Sequence, residues 1–313
     1  MDSTVAYFKN GIGNWVLMTP ALRAMASMTD SGTVDMVIDG DWSDSRTPAI
    51  LDLVESSPFV GKIMRYPSQA LNPRKYGRWF YSRHSEGSAA LQFFETKNPT
   101  TGHRINWRAS LVHEMDYYMN IARMGFGYKG ETPLQYVKRL DSLPAGVARA
   151  FDSRNRWVAL CNGGFARMRG PKCWPHFNEL ASALRKRYGV SIVGVGAKGE
   201  LAGVKLDLDL TGELSILETA RVLCGEVDHF VTTDTGLMHI ADALEVNMTV
   251  LFGGSIVSKN GPVNHTATIV RADLGCVPCQ YVGDFEKCRD PQCMSRLKVG
   301  QVMRALSRWG ESL

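Results

Sequence analysis

The chain has 313 residues, enough for two domains with separate hydrophobic cores. Hydrophobic residues make up 44% and charged residues 21%, a balance that excludes an intrinsically disordered chain. The first residues contain Asp2 and Lys9 and lack the apolar core of a signal peptide, and no apolar run reaches the ~20 residues that span a bilayer. Because the seven cysteines also favour a reducing compartment, we expect a cytoplasmic protein.

In the first half, strand and helix patterns alternate as in a parallel α/β domain. They predict a strand over Thr4–Phe8, a helix from Trp15 to Met28, a strand over Val34–Ile38, a helix through P-A-I-L-D-L-V, and a helix with Val112, Met115, Met119 and Ala122 on one face that ends at Gly125. The segment from Tyr66 to Arg108 has no clean periodicity, so we predict that it is rich in loops.

Positive charge is concentrated in this first half. Between Lys62 and Arg108, nine lysines and arginines stand against two glutamates, a local charge of +7 in a chain of net +5. Aromatic residues are interleaved with them: Tyr66, Tyr76, Trp79, Phe80, Tyr81, Phe93, Phe94 and Trp107. This composition indicates an anionic partner, either a nucleic acid or a phosphorylated saccharide. It also fits a solvated loop whose aromatic side chains anchor it to a core.

A domain boundary is predicted near Asp141–Gly146, giving domains 1–145 and 146–313. The second half repeats the alternation, with strands over Trp157–Cys161, S-I-V-G-V, H-F-V-T-T and M-T-V-L-F-G, a helix that buries Phe177, Leu180, Ala181 and Leu184, and helices over I-L-E-T-A-R-V-L and L-M-H-I-A-D-A-L. Two such halves predict Rossmann-like domains facing across a cleft, with ligands at the carboxyl ends of the strands. As an alternative for the last helix, we consider packing against the first domain.

A glycine turn, Gly11-Ile-Gly13, follows the first strand. It begins like the dinucleotide fingerprint G-x-G-x-x-G, but Val16 stands where the third glycine belongs, which argues against NAD. The sequence also lacks the G-x-x-x-x-G-K-[ST] motif of Walker NTPases. A plain strand–helix turn would explain the glycines, but we favour a turn that faces a ligand.

The segment V-T-T-D-T-G-L-M-H carries a polar turn between a strand and a helix. The backbone N–H groups and the dipole of that helix attract phosphate, His239 could add a donor, and Asp234 could accept from sugar hydroxyls. The simpler interpretation is that Asp234 caps the helix and His239 lies at the surface. The position at the end of a strand favours the ligand site.

Lys172 lies in a loop of glycine and proline just ahead of Trp174-Pro175 and a predicted helix. There it could neutralise a diphosphate as a leaving group departs. The commoner case for a lysine is a solvated surface charge.

Four cysteines near the end, Cys276, Cys279, Cys288 and Cys293, read C-V-P-C-x8-C-x4-C. C-x-x-C is a good zinc half-site, although the second pair has looser spacing than a zinc ribbon. Structural zinc, a disulfide and reduced thiols stay open, and no His or carboxylate at ligand spacing points to a catalytic metal.

Together these segments resemble glycosyltransferase family 9, the heptosyltransferases of lipopolysaccharide assembly. The similar stretches are G-I-G-N-W-V-L-M-T-P-A-L-R-A-M, P-K-C-W-P-H-F-N-E-L-A, D-L-T-G-E-L-S-I-L-E-T-A-R-V-L, T-D-T-G-L-M-H-I-A-D-A-L and G-C-V-P-C followed by C-M. The resemblance covers nearly the whole chain and thins between Tyr66 and Arg108.

The resemblance implies a GT-B fold and an inverting, metal-independent transfer from a nucleotide-diphosphate sugar. It implies that the second domain binds the donor: Thr235, Gly236 and His239 the diphosphate, Asp234 the sugar, Glu200 the ribose and Lys172 the developing charge. We expect Gly13 to face the donor. For the acceptor in the first domain we expect contacts from Gly11, Asp39, Arg78, Trp79 and His113.

Asn14 is where the chain departs from the family, whose motif carries an aspartate there as the suggested general base. An amide is not basic enough to take a proton at neutral pH, although Asn14 could orient a substrate. For a relocated base we consider Asp39, Asp41 and Asp44 first, and His113 and Asp116 as more distant candidates.

We therefore expect an active glycosyltransferase whose acceptor is a lipopolysaccharide-core sugar or a related bacterial glycan. The basic, aromatic segment keeps a second acceptor open, a 5-hydroxymethylpyrimidine in phage DNA. Asn14 keeps open an inactive relative that binds nucleotide sugars. A required cofactor is not expected.

Overall fold

A computed structural model describes residues 3–9, 11–39, 46–66, 76–81, 112–151, 154–163, 172–264, 266–280 and 288–310. The chain divides into two compact units, Met1–Lys138 and Arg139–Leu313. This division falls seven residues before the start of the predicted second domain, ahead of the short helix at Ala145–Ala150.

The first unit is a parallel α/β unit. Its elements are β1 (Thr4–Phe8), α1 (Ile12–Ala26), β2 (Val34–Asp39), α2 (Arg46–Glu55), β3 (Val60–Tyr66), β4 (Arg78–Tyr81) and α3 (Glu114–Phe126). The described strands form one sheet in the order β3-β2-β1-β4, and each pairing is parallel. Since β1 is central, with all five residues buried, its carboxyl end opens onto the middle of the sheet edge where ligands bind in such folds.

Strand β4 lies within the segment after Tyr66 that was predicted to be rich in loops, most of which is outside the described residues. Four residues are too few to show an alternating pattern, and the arginine and aromatics of R-W-F-Y look the same in a strand as in a loop. Only the pairing with β1 shows that these four residues form a strand: Thr4 pairs with Arg78 and Tyr7 with Tyr81.

Helix α3 also differs in detail from its prediction. Val112 lies before the helix and is 40% exposed, whereas Tyr118 and Met119 are buried. The helix continues past Gly125 and ends at Phe126, and the capping residue Gly127 has a left-handed φ of 75° that suits a glycine. The predicted apolar face was therefore wrong at Val112. The face that is buried also includes the acidic Glu114 and the aromatic Tyr118.

The second unit repeats the architecture, with six strands among its described residues. Its elements are α4 (Ala145–Ala150), β5 (Trp157–Cys161), α5 (Phe177–Tyr188), β6 (Ser191–Gly194), β7 (Leu208–Asp209), α6 (Ile216–Gly225), β8 (His229–Thr233), α7 (Gly236–Ala243), β9 (Met248–Phe252), α8 (Val257–Asn260), β10 (Ala267–Arg271), α9 (Gln292–Ser295), α10 (Val299–Ala305) and α11 (Ser307–Gly310). The strand order is β10-β9-β8-β5-β6-β7, all parallel.

This order places a topological switch point between β5 and β8. The chain runs outward from β5 through β6 and β7, then returns to the other side of β5 for β8. The loops that follow β5 and β8 therefore diverge, which opens a crevice outside the carboxyl ends of these two strands.

One hydrophobic core fills the face of this sheet covered by α5 and the C-terminal helices. Phe177, Leu180, Ala181 and Leu184 are buried there, as their spacing predicts. Val302 and Leu306, from the last part of the chain, belong to the same core, so this segment packs in the second unit. The last helix, considered above for packing against the first domain, places Trp309 against this core.

Candidate active site

In the second unit, an ion pair joins the loops before α5 and after β8. Lys172 Nζ lies 2.7 Å from Asp234 Oδ2 and 3.5 Å from the Asp234 carbonyl oxygen. The side chains are 17% and 8% exposed. Lys172 is thus neither a solvated surface charge nor remote from the site, although 62 residues separate it from its partner.

Asp234 keeps its negative charge despite being buried. Burial by itself would raise the pKa of this carboxyl, but the Lys172 ammonium, the nearby Ser255 hydroxyl and His239 together lower it below the ordinary value of 3.8. Ser255 is itself 1% exposed and follows strand β9. Three loops therefore converge on one carboxylate at the strand ends.

Thr235, rather than Asp234, caps helix α7. Its hydroxyl accepts a hydrogen bond from the Met238 N–H at 3.3 Å, and Gly236 is the first helical residue. The interpretation of Asp234 as a simple N-cap was therefore wrong. The beginning of this helix combines backbone N–H groups with a partial positive charge, the combination that attracts phosphate groups.

His239 is on the first turn of α7, as predicted, but it is only 5% exposed. The alternative that placed it at the surface was therefore wrong. Its imidazole is close enough to the Asp234 carboxylate to help lower the pKa of that group. His239, Asp234 and Lys172 consequently form one charged cluster.

Glu200 lies at the neighbouring strand end, after β6. Its Oε2 accepts from the Ala197 N–H at 3.1 Å and is 3.7 Å from the Cys161 Sγ. A Cβ placed on Gly163 would approach the carboxylate to 2.7 Å, and one on Gly196 to 2.4 Å. The glycines leave room for this carboxylate at the end of the second strand of the unit, where Rossmann folds carry the acidic residue that binds a ribose.

In the first unit, Asn14 contacts a buried carboxylate that the sequence interpretation missed. Asn14 Nδ2 donates to Glu114 Oε1 at 2.5 Å, and the Tyr118 hydroxyl donates to the same oxygen at 3.0 Å. Glu114 is 6% exposed, and burial followed by its negative charge raises the pKa of Tyr118 well above the ordinary value. The only sequence signal was an acidic residue within an otherwise apolar helix face.

Asp39 ends strand β2 and is 8% exposed. Its Oδ2 accepts from the Tyr7 hydroxyl and lies 3.0 Å from Lys9 Nζ, so its charge is already paired within the unit. Gly11 caps α1 with φ of −82°, an angle open to any residue, and Gly13 lies in the first turn of that helix. The other proposed bases after β2, Asp41 and Asp44, lie outside the described residues.

The remaining acceptor candidates are spread over two elements. Arg78 and Trp79 belong to β4, directly beside β1. His113 caps α3, where its Nδ1 accepts from the Met115 N–H at 3.2 Å. Asp116, the more distant base candidate, is exposed on the same helix. Most of the basic, aromatic segment lies outside the described residues.

The C-terminal cysteines are free thiols. Burial, with contributions from Cys279, Cys288 and Cys276, raises the pKa of Cys293 to about 11, so these four thiols are neighbours. Within the described ranges, no three His, Cys, Asp or Glu side chains are arranged to hold a metal ion. Structural zinc stays a prediction. In the same ranges, no helix combines the length and the apolar character needed to cross a membrane.

Comparison with known sequences identifies relatives of the chain. Residues 68–289 match the family model described as glycosyltransferase family 9 (heptosyltransferase). A lipopolysaccharide heptosyltransferase 2 of Salmonella typhimurium is 31% identical over 249 residues, covering 66% of this chain and 68% of the relative. For five curated relatives of this kind the alignments span 39% to 68% of the relative's own length, so several are matched only in part.

Comparison with solved structures supports the fold. The E. coli ADP-heptose lps heptosyltransferase II aligns over 99% of both chains with a TM-score of 0.69 and 17% identity. The E. coli heptosyltransferase WaaC with ADP aligns over 98% of this chain and 99% of that chain, with a TM-score of 0.66 and 14% identity. The predicted α/β fold with two Rossmann-like units, and the predicted resemblance, are confirmed.

Proposed function

The chain belongs to glycosyltransferase family 9, and from this premise we propose that it is an inverting enzyme that transfers a heptose from an ADP-sugar to a hydroxyl of a lipopolysaccharide-core sugar. Its assignment as a glycosyltransferase enzyme follows from the family. The proposed donor rests on a structural relative that was solved with ADP, and the proposed acceptor rests on the names of the curated relatives.

The observation that carries the proposal is the set of polar groups at the switch point of the second unit. The Lys172–Asp234 pair, the beginning of helix α7 and the carboxylate of Glu200 lie at three neighbouring strand ends. An ADP-sugar carries a ribose, a diphosphate and a sugar ring in sequence. A carboxylate for ribose hydroxyls beside a positive helix end for phosphate offers partners in the same sequence.

Each residue then has a role in the transfer. Glu200 accepts hydrogen bonds from the ribose, and the N–H groups at the start of α7 bind the diphosphate. The Lys172 ammonium, held in place by Asp234, stabilises the charge that develops on the diphosphate as the bond to the anomeric carbon breaks. With Lys172 and the helix end supplying positive charge, we propose that the transfer requires no metal ion.

One sequence observation supports a second acceptor class. The +7 charge and interleaved aromatics between Lys62 and Arg108 would also suit DNA carrying 5-hydroxymethylpyrimidines. A DNA acceptor would bind less tightly as salt rises, because each phosphate contact releases counterions. A core saccharide would show a much weaker salt dependence.

The test incubates the protein with a panel of nucleotide sugars and measures the nucleoside diphosphate released. Each donor is tried with truncated lipopolysaccharide core, with hydroxymethylated DNA and with no acceptor, in the presence and absence of EDTA. We expect ADP-heptose with the core to give the largest release of nucleoside diphosphate. NMR of the product should show that the anomeric carbon of a β-configured donor has been inverted. Failure of both acceptors to raise release above background would contradict the transferase proposal.

A further inference from the structure

The pair formed by Asn14 and Glu114 answers a question that the proposed function raises. Transfer of a sugar to a hydroxyl needs a group that takes the hydroxyl proton, and the Asn14 amide is not basic enough to do so by itself. Asn14 nevertheless stands on the first turn of α1, six residues after the carboxyl end of the central strand β1. In a sheet of this type ligands bind at that edge.

Glu114 supplies the carboxylate that position 14 lacks. It is 6% exposed and its Oε1 accepts from two donors, Asn14 Nδ2 at 2.5 Å and the Tyr118 hydroxyl at 3.0 Å. It is also the first residue of α3, where the helix dipole stabilises an anion. Two hydrogen bonds and a helix beginning are surroundings that favour the ionised form of a buried carboxylate.

The carboxylate also determines how the Asn14 amide is oriented. An ionised carboxylate is acceptor-only, so the NH₂ group of the amide must face Glu114. The carbonyl oxygen, Oδ1, then points away from Glu114. A hydrogen bond to a negative group is strong and polarises the amide, which makes Oδ1 a better acceptor for a hydroxyl.

We propose that Glu114 takes up the proton of the acceptor hydroxyl through Asn14, an inference that rests on the proposed transferase function. The hydroxyl proton passes to Asn14 Oδ1 while an Nδ2 proton passes to Glu114 Oε1. The oxygen forms its bond to the anomeric carbon as the bond from that carbon to the diphosphate breaks, and the electron pair leaves with the diphosphate. Glu114 ends neutral and Asn14 as the imidic acid tautomer, and loss of one proton to solvent restores both.

Asn14 is in this scheme the residue that touches the acceptor, and Glu114 is a positioning residue that also stores the proton. A purely structural Glu114 would make a different prediction. It would require only a hydrogen-bonding partner for Asn14, which the glutamine of Glu114→Gln also supplies, so that variant would keep its kcat. Losing the carboxylate while keeping the hydrogen bond therefore separates the two cases.

The experiment compares Glu114→Gln, the exchanged pair Asn14→Asp with Glu114→Gln, and the exposed control Glu131→Gln. We expect the single Glu114→Gln variant to lose kcat by about 100-fold or more with little change in the donor KM, as for removal of a general base. The exchanged pair keeps one amide and one carboxylate and should regain kcat to within about 10-fold of the wild type. Glu131→Gln should leave both constants unchanged.

The outcomes separate this inference from the proposed function. An active wild type whose Glu114→Gln variant keeps its kcat overturns the role of Glu114 and leaves the transferase intact. If Glu114→Gln does not fold, Asn14→Ala decides: a folded variant that keeps its kcat overturns the relay, and one that loses kcat with little change in the acceptor KM supports it. ADP binding measured by calorimetry should be equal in all folded variants. A wild type that transfers no sugar at all overturns the proposed function instead.

Discussion

Replacing Lys172 with methionine removes the ammonium that offsets the buried charge of Asp234. At the observed 2.7 Å, two unit charges attract by about 6 kcal/mol at an effective dielectric constant of about 20. Removal of one partner from a buried pair typically costs about 3–5 kcal/mol. Because Ser255 and His239 still stabilise the carboxylate and Lys172 is 17% exposed, we expect a loss near the lower end, about 3 kcal/mol.

Asp234→Asn provides the matched change, and the two variants with their double variant form a thermodynamic cycle. In Lys172→Met with Asp234→Asn neither charge of the pair remains, so we expect about 2 kcal/mol to be recovered relative to the sum of the single losses. The free energy of unfolding is measured in urea, with hydrogen exchange followed on peptides from β8 and α7 so that only the second unit is scored.

The pH dependence of the free energy of unfolding tests the contribution of the ionised Asp234. The pKa of Asp234 is lowered in the folded protein, so its contribution to stability is present above about pH 4 and is lost as the pH falls through the lowered pKa. The difference between wild type and Lys172→Met should therefore shrink below pH 4. A coupling energy under about 0.5 kcal/mol at neutral pH would refute the reasoning, because the two residues would then act as independent sites.

Three further predictions concern neighbouring features. Burial lowers the pKa of His229 to about 3, so the unfolded state binds a proton first as the pH falls below about 6.5. The free energy of unfolding should then decline by up to about 1.4 kcal/mol per pH unit. His229→Gln should flatten that slope in urea titrations at several pH values. Thr235→Ala and Ser215→Ala each remove a side-chain cap of a helix, and each should lower the free energy of unfolding by about 1 kcal/mol. Only Thr235→Ala should also weaken ADP binding measured by calorimetry. Equal ADP affinities would argue against a donor at α7. Gly196→Ala should weaken ADP binding more than Gly203→Ala, because both glycines have positive φ but only Gly196 would place a Cβ against the carboxylate proposed to bind ribose; similar losses would contradict that placement.

The sequence by itself determined the architecture and the donor motif. Strand β1 and strand β8 have the predicted bounds, Thr4–Phe8 and His229–Thr233, because five consecutive buried residues between polar turns leave a clear local signal. The turn after β8 and the helix that follows are likewise contiguous in the chain. Local chemistry was therefore enough to place the polar turn and His239 at the end of a strand.

Only the tertiary structure decided which charges meet. Lys172 and Asp234 are 62 residues apart, and Asn14 and Glu114 are 100 residues apart, so neither pair leaves a pattern of spacing in the sequence. Glu114 shares a helix face with apolar residues, but that local signal does not reveal that the helix buries it against Asn14. The packing of α3 against α1 brings the Glu114 carboxylate to the Asn14 amide. Spacing along the chain predicts only site residues that lie at the end of a strand, such as Asp39.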